Sequence, residues 1–313
     1  MTETEYDTIV IGGGPGGSSA STYLAKAGRK VLLLEKEVFP RFHIGESLLP
    51  YNRQIFDELG VSSIIQAEGF PKKFGAQFYI ANGSRSIKFV FAQGIFTRET
   101  ETIQVERARF DHILLTNARA KGVDVREGWT VTRFAEDDQG VSVEATDPNG
   151  VKNRFAGKFL IDASGRGNMT GNQEGIRVVH PKLKKIAIFG HFRNVRHDEG
   201  KEAGDTIIVR LENKWFWIIP LAKGKTSIGL VMEQSEFAEA EEPPQKVFER
   251  IWRSSPVLIE RLGKAELVMP MQATSDFSYY NKRYVGKRLL RVGDAAGFMD
   301  PIFSAGVFLA MYT

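Results

Sequence analysis

A glycine-rich run near the start of the chain, Gly12-Gly13-Gly14-Pro15-Gly16-Gly17, constrains its fold more than any other feature. It follows a short β-branched run, Thr8 to Ile11, and precedes Ser18 to Ala27, which has helix-forming composition. Val31 to Leu34 is a second apolar run, ending at Glu35. Apolar run, glycine turn, helix and second apolar run read as a βαβ unit. Gly12, Gly14 and Gly17 satisfy the spacing GxGxxG. The first glycine permits the tight turn, the second lets a pyrophosphate approach the backbone, and the third lets helix and strand pack closely. A carboxylate at the end of the second strand is placed for the hydroxyls of an adenosine ribose. The pattern therefore predicts a dinucleotide site drawing on Gly12, Gly14, Pro15, Gly16, Gly17 and Glu35.

The rest of the chain adds strands to this opening. Amphipathic helices are expected at Leu48 to Leu59 and at Ala108 to Ala120, the second stopped by Gly122. Strand-like runs are Gly75 to Ala81, Ile87 to Phe91, Val141 to Ala145, Lys184 to Phe192, Thr206 to Leu211, Trp215 to Pro220 and Ser227 to Met232. So many strands after a βαβ opening imply an α/β protein with a second, mostly antiparallel sheet layered on the first. Arg196 to Asp205 and the acidic Gln234 to Gln245, with Pro243-Pro244, read as surface loops. Pro301 is expected to open a helix whose apolar residues Val307, Phe308, Leu309 and Met311 are still in register at Thr313, so the chain is expected to continue.

Composition removes several kinds of chemistry. With no cysteine there is no disulfide, no thiolate metal site and no Cys nucleophile, so redox work would fall to a cofactor. A net charge of +4, spread along the chain, provides no footprint for nucleic acid. The N-terminus is acidic and leads into a short apolar run, the wrong order for a secretory signal. No apolar stretch approaches the roughly 20 residues that span a bilayer, so a cytoplasmic location is expected. The five histidines show neither HxxxH nor HExxH spacing, and no metal site is assigned. Ser164 sits in no nucleophile elbow.

Further motifs carry a family resemblance. Arg291-Val292-Gly293-Asp294-Ala295-Ala296-Gly297 resembles the GD motif of glutathione-reductase-type flavoproteins, which implies FAD with Asp294 on its ribityl chain. Phe39-Pro40-Arg41-Phe42-His43-Ile44-Gly45-Glu46-Ser47 and Gln104-Val105-Glu106-Arg107-Ala108-Arg109-Phe110-Asp111 resemble the next FAD-contacting segments of flavin-dependent halogenases. Lys214 to Pro220 contains their WxWxIP pattern, although geranylgeranyl-reductase-like flavoproteins have a related strand here. Asp300-Pro301-Ile302-Phe303-Ser304-Ala305-Gly306 resembles their halide loop, and Asp162 to Arg166 resembles a segment of flavin hydroxylases. The resemblance runs in order from residue 8 to residue 312.

The resemblance implies a Rossmann-type FAD domain over 1–72, 103–170 and 284–313, and a substrate-side sheet domain over 73–102 and 171–283. It adds Arg41, Ser47, Arg107, Asp162, Asp294 and Gly306 to the cofactor site and puts halide at Ser304, Ala305 and Gly306. In that family reduced flavin and dioxygen give a flavin hydroperoxide, and halide attack on it releases hypohalous acid, which passes to a lysine. Lys73 matches that lysine and is expected in a largely apolar pocket, with Lys72 in solvent. Members acting on tryptophan carry an acidic residue where this chain has Phe303, which points to a phenol- or pyrrole-like aromatic, free or tethered to a carrier protein. No second GxGxxG is present, so FADH2 from a separate flavin reductase is implied. Two alternatives stand beside this reading: an FAD-dependent hydroxylase or geranylgeranyl-reductase-like enzyme, and a flavin-binding protein without catalysis.

Overall fold

The computed structural model describes residues 6–80, 84–95, 98–275 and 278–313. Its first sheet runs Asp124–Glu127, Val31–Glu35, Tyr6–Ile11, Lys152–Asp162, Val141–Thr146 and Thr130–Glu136, with Leu289–Arg291 also pairing Lys152–Asp162. Tyr6–Ile11 pairs in parallel with Val31–Glu35 and with the C-terminal half of Lys152–Asp162. Ile9, Val10, Leu32 and Leu33 are fully enclosed, as expected of parallel strands covered on both faces. The helix Pro15–Lys26 starts with Gly14 as its cap and Pro15 at its first position, where the missing N–H costs nothing.

The second sheet orders Glu266–Leu267, Lys185–Arg193, Thr226–Glu233, Lys214–Pro220, Thr206–Leu211, Gly75–Ile80 and Arg85–Val90, with Gln272–Ser275 also on Lys185–Arg193. It is antiparallel except where Thr206–Leu211 meets Gly75–Ile80. The two-residue strand period divides its side chains between two faces. Phe216, Ile218, Ile188 and Leu230 pack beneath the helices Pro244–Trp252 and Pro256–Leu262. Trp215, Trp217, Ile219, Phe189 and Ile208 face the opposite way, toward the first sheet.

Three local expectations are corrected. The acidic stretch read as a loop forms the helix Gln234–Glu239 and opens the helix Pro244–Trp252, because Pro244 can occupy a helix start. The helix expected from Leu48 begins only at Asn52, since Ser47 is bridged to Gln104 and Lys73 bonds the Leu48 carbonyl. The helix expected from Pro301 is two pieces, a short turn at Pro301–Phe303 and the helix Gly306–Tyr312, separated by Ser304 in the left-handed region at φ 56°. The strand at Gly75 is described as far as Ile80; Ala81 lies outside the described residues. Among the described residues no helix is long and apolar enough to cross a membrane.

Candidate active site

A cavity of about 510 Å³ runs from the glycine turn to the inner face of the second sheet. At one end it is lined by Gly12, Gly14, Pro15, Gly16 and Glu35. Gly12 has φ 99°, and a Cβ there would meet the Ala163 carbonyl oxygen at 2.4 Å. A Cβ on Gly17 would sit 1.9 Å from the Gly12 oxygen, so this glycine serves helix–strand contact behind the cavity wall. Gly14 differs: the nearest atom to its Cβ would be Arg41 Nη2 at 3.8 Å. A side chain there would meet little protein and would enter the space beside the helix start, the form a pyrophosphate cradle takes. The Glu35 carboxylate accepts the Gly13 N–H at 2.6 Å and the Glu37 N–H at 2.8 Å, which fixes it at this end. These residues fit the adenosine and phosphate portions of FAD.

Two arginines converge on the middle of the cavity. Arg41 reaches Asp111 at 2.7 Å, and Arg107 grips the same carboxylate with Nε at 2.7 Å and Nη2 at 2.9 Å. Burial would raise the Asp111 pKa, but Arg107 and then Arg41 outweigh it and hold the carboxyl below its ordinary range. Arg107 Nη1 also donates to the Ile44 carbonyl at 2.8 Å, tying the Phe39 to Ser47 segment to the helix Arg107–Ala120. Burial, then the Arg107 charge, lowers His43 to about 4, so it is neutral near pH 7. Arg41 also meets the exposed Glu37 carboxylate at 3.2 Å, so the two guanidiniums stand against Asp111 and Glu37 beside the glycine cradle. Asp111→Ala would remove the buried carboxylate both guanidiniums share, leaving Arg41 the exposed Glu37 and Arg107 the Ile44 and Gly45 carbonyls, and is expected to cost about 3–5 kcal/mol, measured as a lower urea midpoint.

Beyond the arginines, Asp294 lines the wall from the turn Gly293–Ala295. Burial pushes its carboxyl up to about 6, against the pull of Arg107 and Arg166. Asp162, expected at the cofactor, is fully enclosed and does not line the cavity. One of its oxygens accepts the Ser164 N–H, and the other accepts the Thr170 N–H and hydroxyl. It therefore braces the turn after its strand.

The far end is aromatic. Ala187, Phe189, Ile208, Trp215, Trp217 and Ile219 form a sheet-face wall. Trp217 lies so close over Gly229 that a Cβ there would meet its ring at 2.2 Å, and its Nε1 donates to Ser227 at 3.1 Å. Gly229 is a positioning residue that sequence pattern did not single out, because its role exists only across the strand pair. Ser304 and Gly306 line the cavity, whereas Ala305 does not. Phe303 is 68% exposed and packs its ring near Phe78.

Lys73 departs most from expectation. It is only 2% exposed and absent from the cavity lining, with the Phe91 ring 5.3 Å from its ammonium and hydroxyl and carbonyl partners beside it. Its Nζ donates to Ser47 Oγ at 2.8 Å and to the Leu48 carbonyl at 3.3 Å. Ser47 and Thr206, which do line the cavity, have their hydroxyl oxygens 2.8 Å apart. Burial lowers the Lys73 pKa to about 7, with Asp205 pulling weakly the other way. Lys72 is exposed, paired with Glu101. Gly204 lets the two segments meet, since a Cβ on it would sit 1.8 Å from the Lys72 oxygen. Thr206 and the buried Glu46–His191 pair at 2.7 Å also lay beyond sequence reasoning, because each joins residues more than a hundred positions apart.

Comparison with known proteins agrees with this geometry. A family model described as FAD binding domain matches residues 5–312. The chain is 32% identical to a 1H-pyrrole-2-carbonyl peptidyl-carrier-protein chlorinase of Pseudomonas fluorescens, over 99% of this chain and 74% of that protein. It is 34% identical to a tryptophan 2-halogenase of Chondromyces crocatus, over 97% of this chain and 59% of that one. The structure of the myxobacterial chondrochloren halogenase CndH superposes with a TM-score of 0.91 at 34% identity, covering 98% of this chain and 72% of that chain. The chain thus spans roughly three fifths to three quarters of the length of these relatives.

Proposed function

The chain belongs to the flavin-dependent halogenases of the FAD-binding monooxygenase superfamily, and from that premise we propose that it halogenates an electron-rich, phenol- or pyrrole-like aromatic, free or carrier-bound. One observation carries the reading: a single cavity joins the glycine cradle to an aromatic wall, and a buried lysine stands behind its Ser47 and Thr206 lining. Bound FAD, reduced by a partner flavin reductase, would supply the dioxygen chemistry that converts a halide to hypohalous acid.

The chain's own residues divide the remaining tasks. Gly12, Gly14, Pro15, Gly16 and Glu35 would hold the adenosine and phosphate portion of FAD, Arg41 and Arg107 would face its phosphates, and Asp294 would receive its ribityl hydroxyls. The left-handed Ser304 separates two helical pieces and spends its own N–H on the Pro301 carbonyl, so within Ser304, Ala305 and Gly306 a halide would meet the amides of Ala305 and Gly306. Trp215, Trp217 and Phe189 enclose the substrate ring and keep water out, which limits escape of hypohalous acid. Lys73, enclosed behind Ser47, would act on that acid by proton transfer through the cavity lining and not by touching it. The pyrrole-directed and tryptophan-directed relatives both act on electron-rich rings, and Phe303 in place of an acid favours a ring activated by its own heteroatom or hydroxyl.

The test supplies the protein with FAD, a flavin reductase, NADH and bromide, and offers a panel of phenols and pyrroles, free and carrier-bound. Mass spectrometry is expected to show bromine's paired isotope pattern on at least one of them. Hydroxylated product alone would replace this reading with the hydroxylase alternative.

A further inference from the structure

We propose that Ser47 and Thr206 form a two-hydroxyl proton relay between the Lys73 ammonium and the cavity, with Ser47 acting through Thr206 and Thr206 meeting the reacting oxygen. The ammonium is walled off from the cavity, and these two hydroxyl residues stand between. Four separate stretches of chain supply the parts: Ser47 before the helix Asn52–Leu59, Lys73 on a short strand, Gln104 after its partner strand, and Thr206 at the start of Thr206–Leu211.

Counting hydrogens sets the direction. Lys73 donates to Ser47 Oγ, and Gln104 Nε2 donates to Thr206 Oγ1 at 2.9 Å while its other hydrogen goes to the Gly204 carbonyl at 3.0 Å. Each hydroxyl oxygen thus already accepts one N–H, and a single O–H bridges the pair. One hydroxyl hydrogen is left with no acceptor among the described residues, on a residue that lines the cavity. With the charged donor at the Ser47 end, the favoured order is Lys73 to Ser47 to Thr206, and the Thr206 hydrogen is the terminal one. Asp205, which pulls on the Lys73 charge, has its carboxylate on the Phe74 N–H, and Glu46, next in sequence to Ser47, is engaged by His191.

The step this permits rests on the halogenation reading above. The halogen of hypohalous acid bonds to a ring carbon as its bond to oxygen breaks. The departing oxygen takes the Thr206 hydrogen and leaves as water, Thr206 takes the Ser47 hydrogen, Ser47 takes one from Lys73, and Lys73 becomes a neutral amine. The ring then loses its proton back along the path, restoring the ammonium. The sum is aromatic C–H plus hypohalous acid giving aromatic C–halogen plus water. The lowered basicity of Lys73 suits both directions of transfer near neutral pH.

The experiment compares Thr206→Val, Thr206→Ser and Ser47→Ala by two readouts. Thr206→Val is expected to lower the turnover number for halogenated product roughly 10²-fold with little change in KM, and Thr206→Ser to recover most of it. Independently of turnover, NMR titration of the lysine side-chain nitrogens, with Lys73 assigned by its absence in Lys73→Met, should show its midpoint moved down by about half a unit in Thr206→Val and restored in Thr206→Ser. A Lys73 midpoint indifferent to both hydroxyls, or a serine variant no better than valine in turnover, would overturn the relay. If the unaltered protein forms no halogenated product while the Lys73 midpoint still follows the Thr206 hydroxyl, the halogenation reading fails and the relay stands.

Discussion

Lys73→Met is expected to abolish halogenation and, at the same time, to make the protein more stable at neutral pH. Folding moves the lysine from its ordinary 10.5 to about 7, because its ammonium is removed from water. At ~1.4 kcal/mol per pKa unit, burying the charge costs about 5 kcal/mol at neutral pH. Losing the hydrogen bonds to Ser47 and the Leu48 carbonyl costs the variant ~1–3 kcal/mol, so relief of the buried charge wins. The pH dependence identifies the cause. Between about pH 7 and 10.5 the unfolded lysine is protonated and the folded one is not, so the unfolded chain binds more protons and the parent gains stability as pH rises. Lys73→Met lacks that gain, and its advantage should shrink toward pH 10. Urea midpoints measured across this window test it; parallel curves for the two proteins would show that the lysine is not desolvated as described. The accompanying loss of halogenation, about 10²–10⁴-fold, is the magnitude of a missing proton-transfer group. A residue that destabilises its own fold and is nevertheless present is a sign of a working site.

Gly14→Val and Gly17→Ala should separate binding from folding, though both change a glycine of one short turn. At Gly14 the backbone is extended, with φ −67° and ψ −175°, and an added Cβ meets only Arg41 Nη2 at 3.8 Å. The valine variant is therefore expected to keep its melting temperature and lose FAD affinity by about 10²-fold or more, because its methyls occupy the pyrophosphate cradle. At Gly17 the Cβ would lie 1.9 Å from the Gly12 oxygen, an overlap that only backbone displacement relieves. That variant is expected to lose about 3 kcal/mol or more, roughly 5 °C or more in melting temperature for a chain of this length, and FAD with it. Thermal melts and flavin fluorescence titrations on the two proteins decide the matter. A Gly14 variant that melts early, or that retains FAD, would show that the cavity beside this turn is not the phosphate site.

How far each feature could be read in advance follows from its range along the chain. The βαβ opening rests on contacts within 35 residues, and its strand, turn and helix all lie where local composition indicates. The WxWxIP pattern was legible as a strand, and the two-residue period alone sends Trp215, Trp217 and Ile219 to one face. Which face meets the cavity depends on helices more than 20 residues later covering the other side.

The sequence by itself determined the dinucleotide turn, the β-rich second layer and the family likeness, because these depend on short-range spacing that survives without coordinates. Only the tertiary structure decided that Asp162 supports a turn, that Lys73 lies behind the wall of the cavity, and that Thr206 completes its connection. The physical reason is burial: whether a lysine is solvated, walled off or hydrogen-bonded depends on residues 47, 104 and 206 arriving from distant parts of the chain, and no local pattern carries that information.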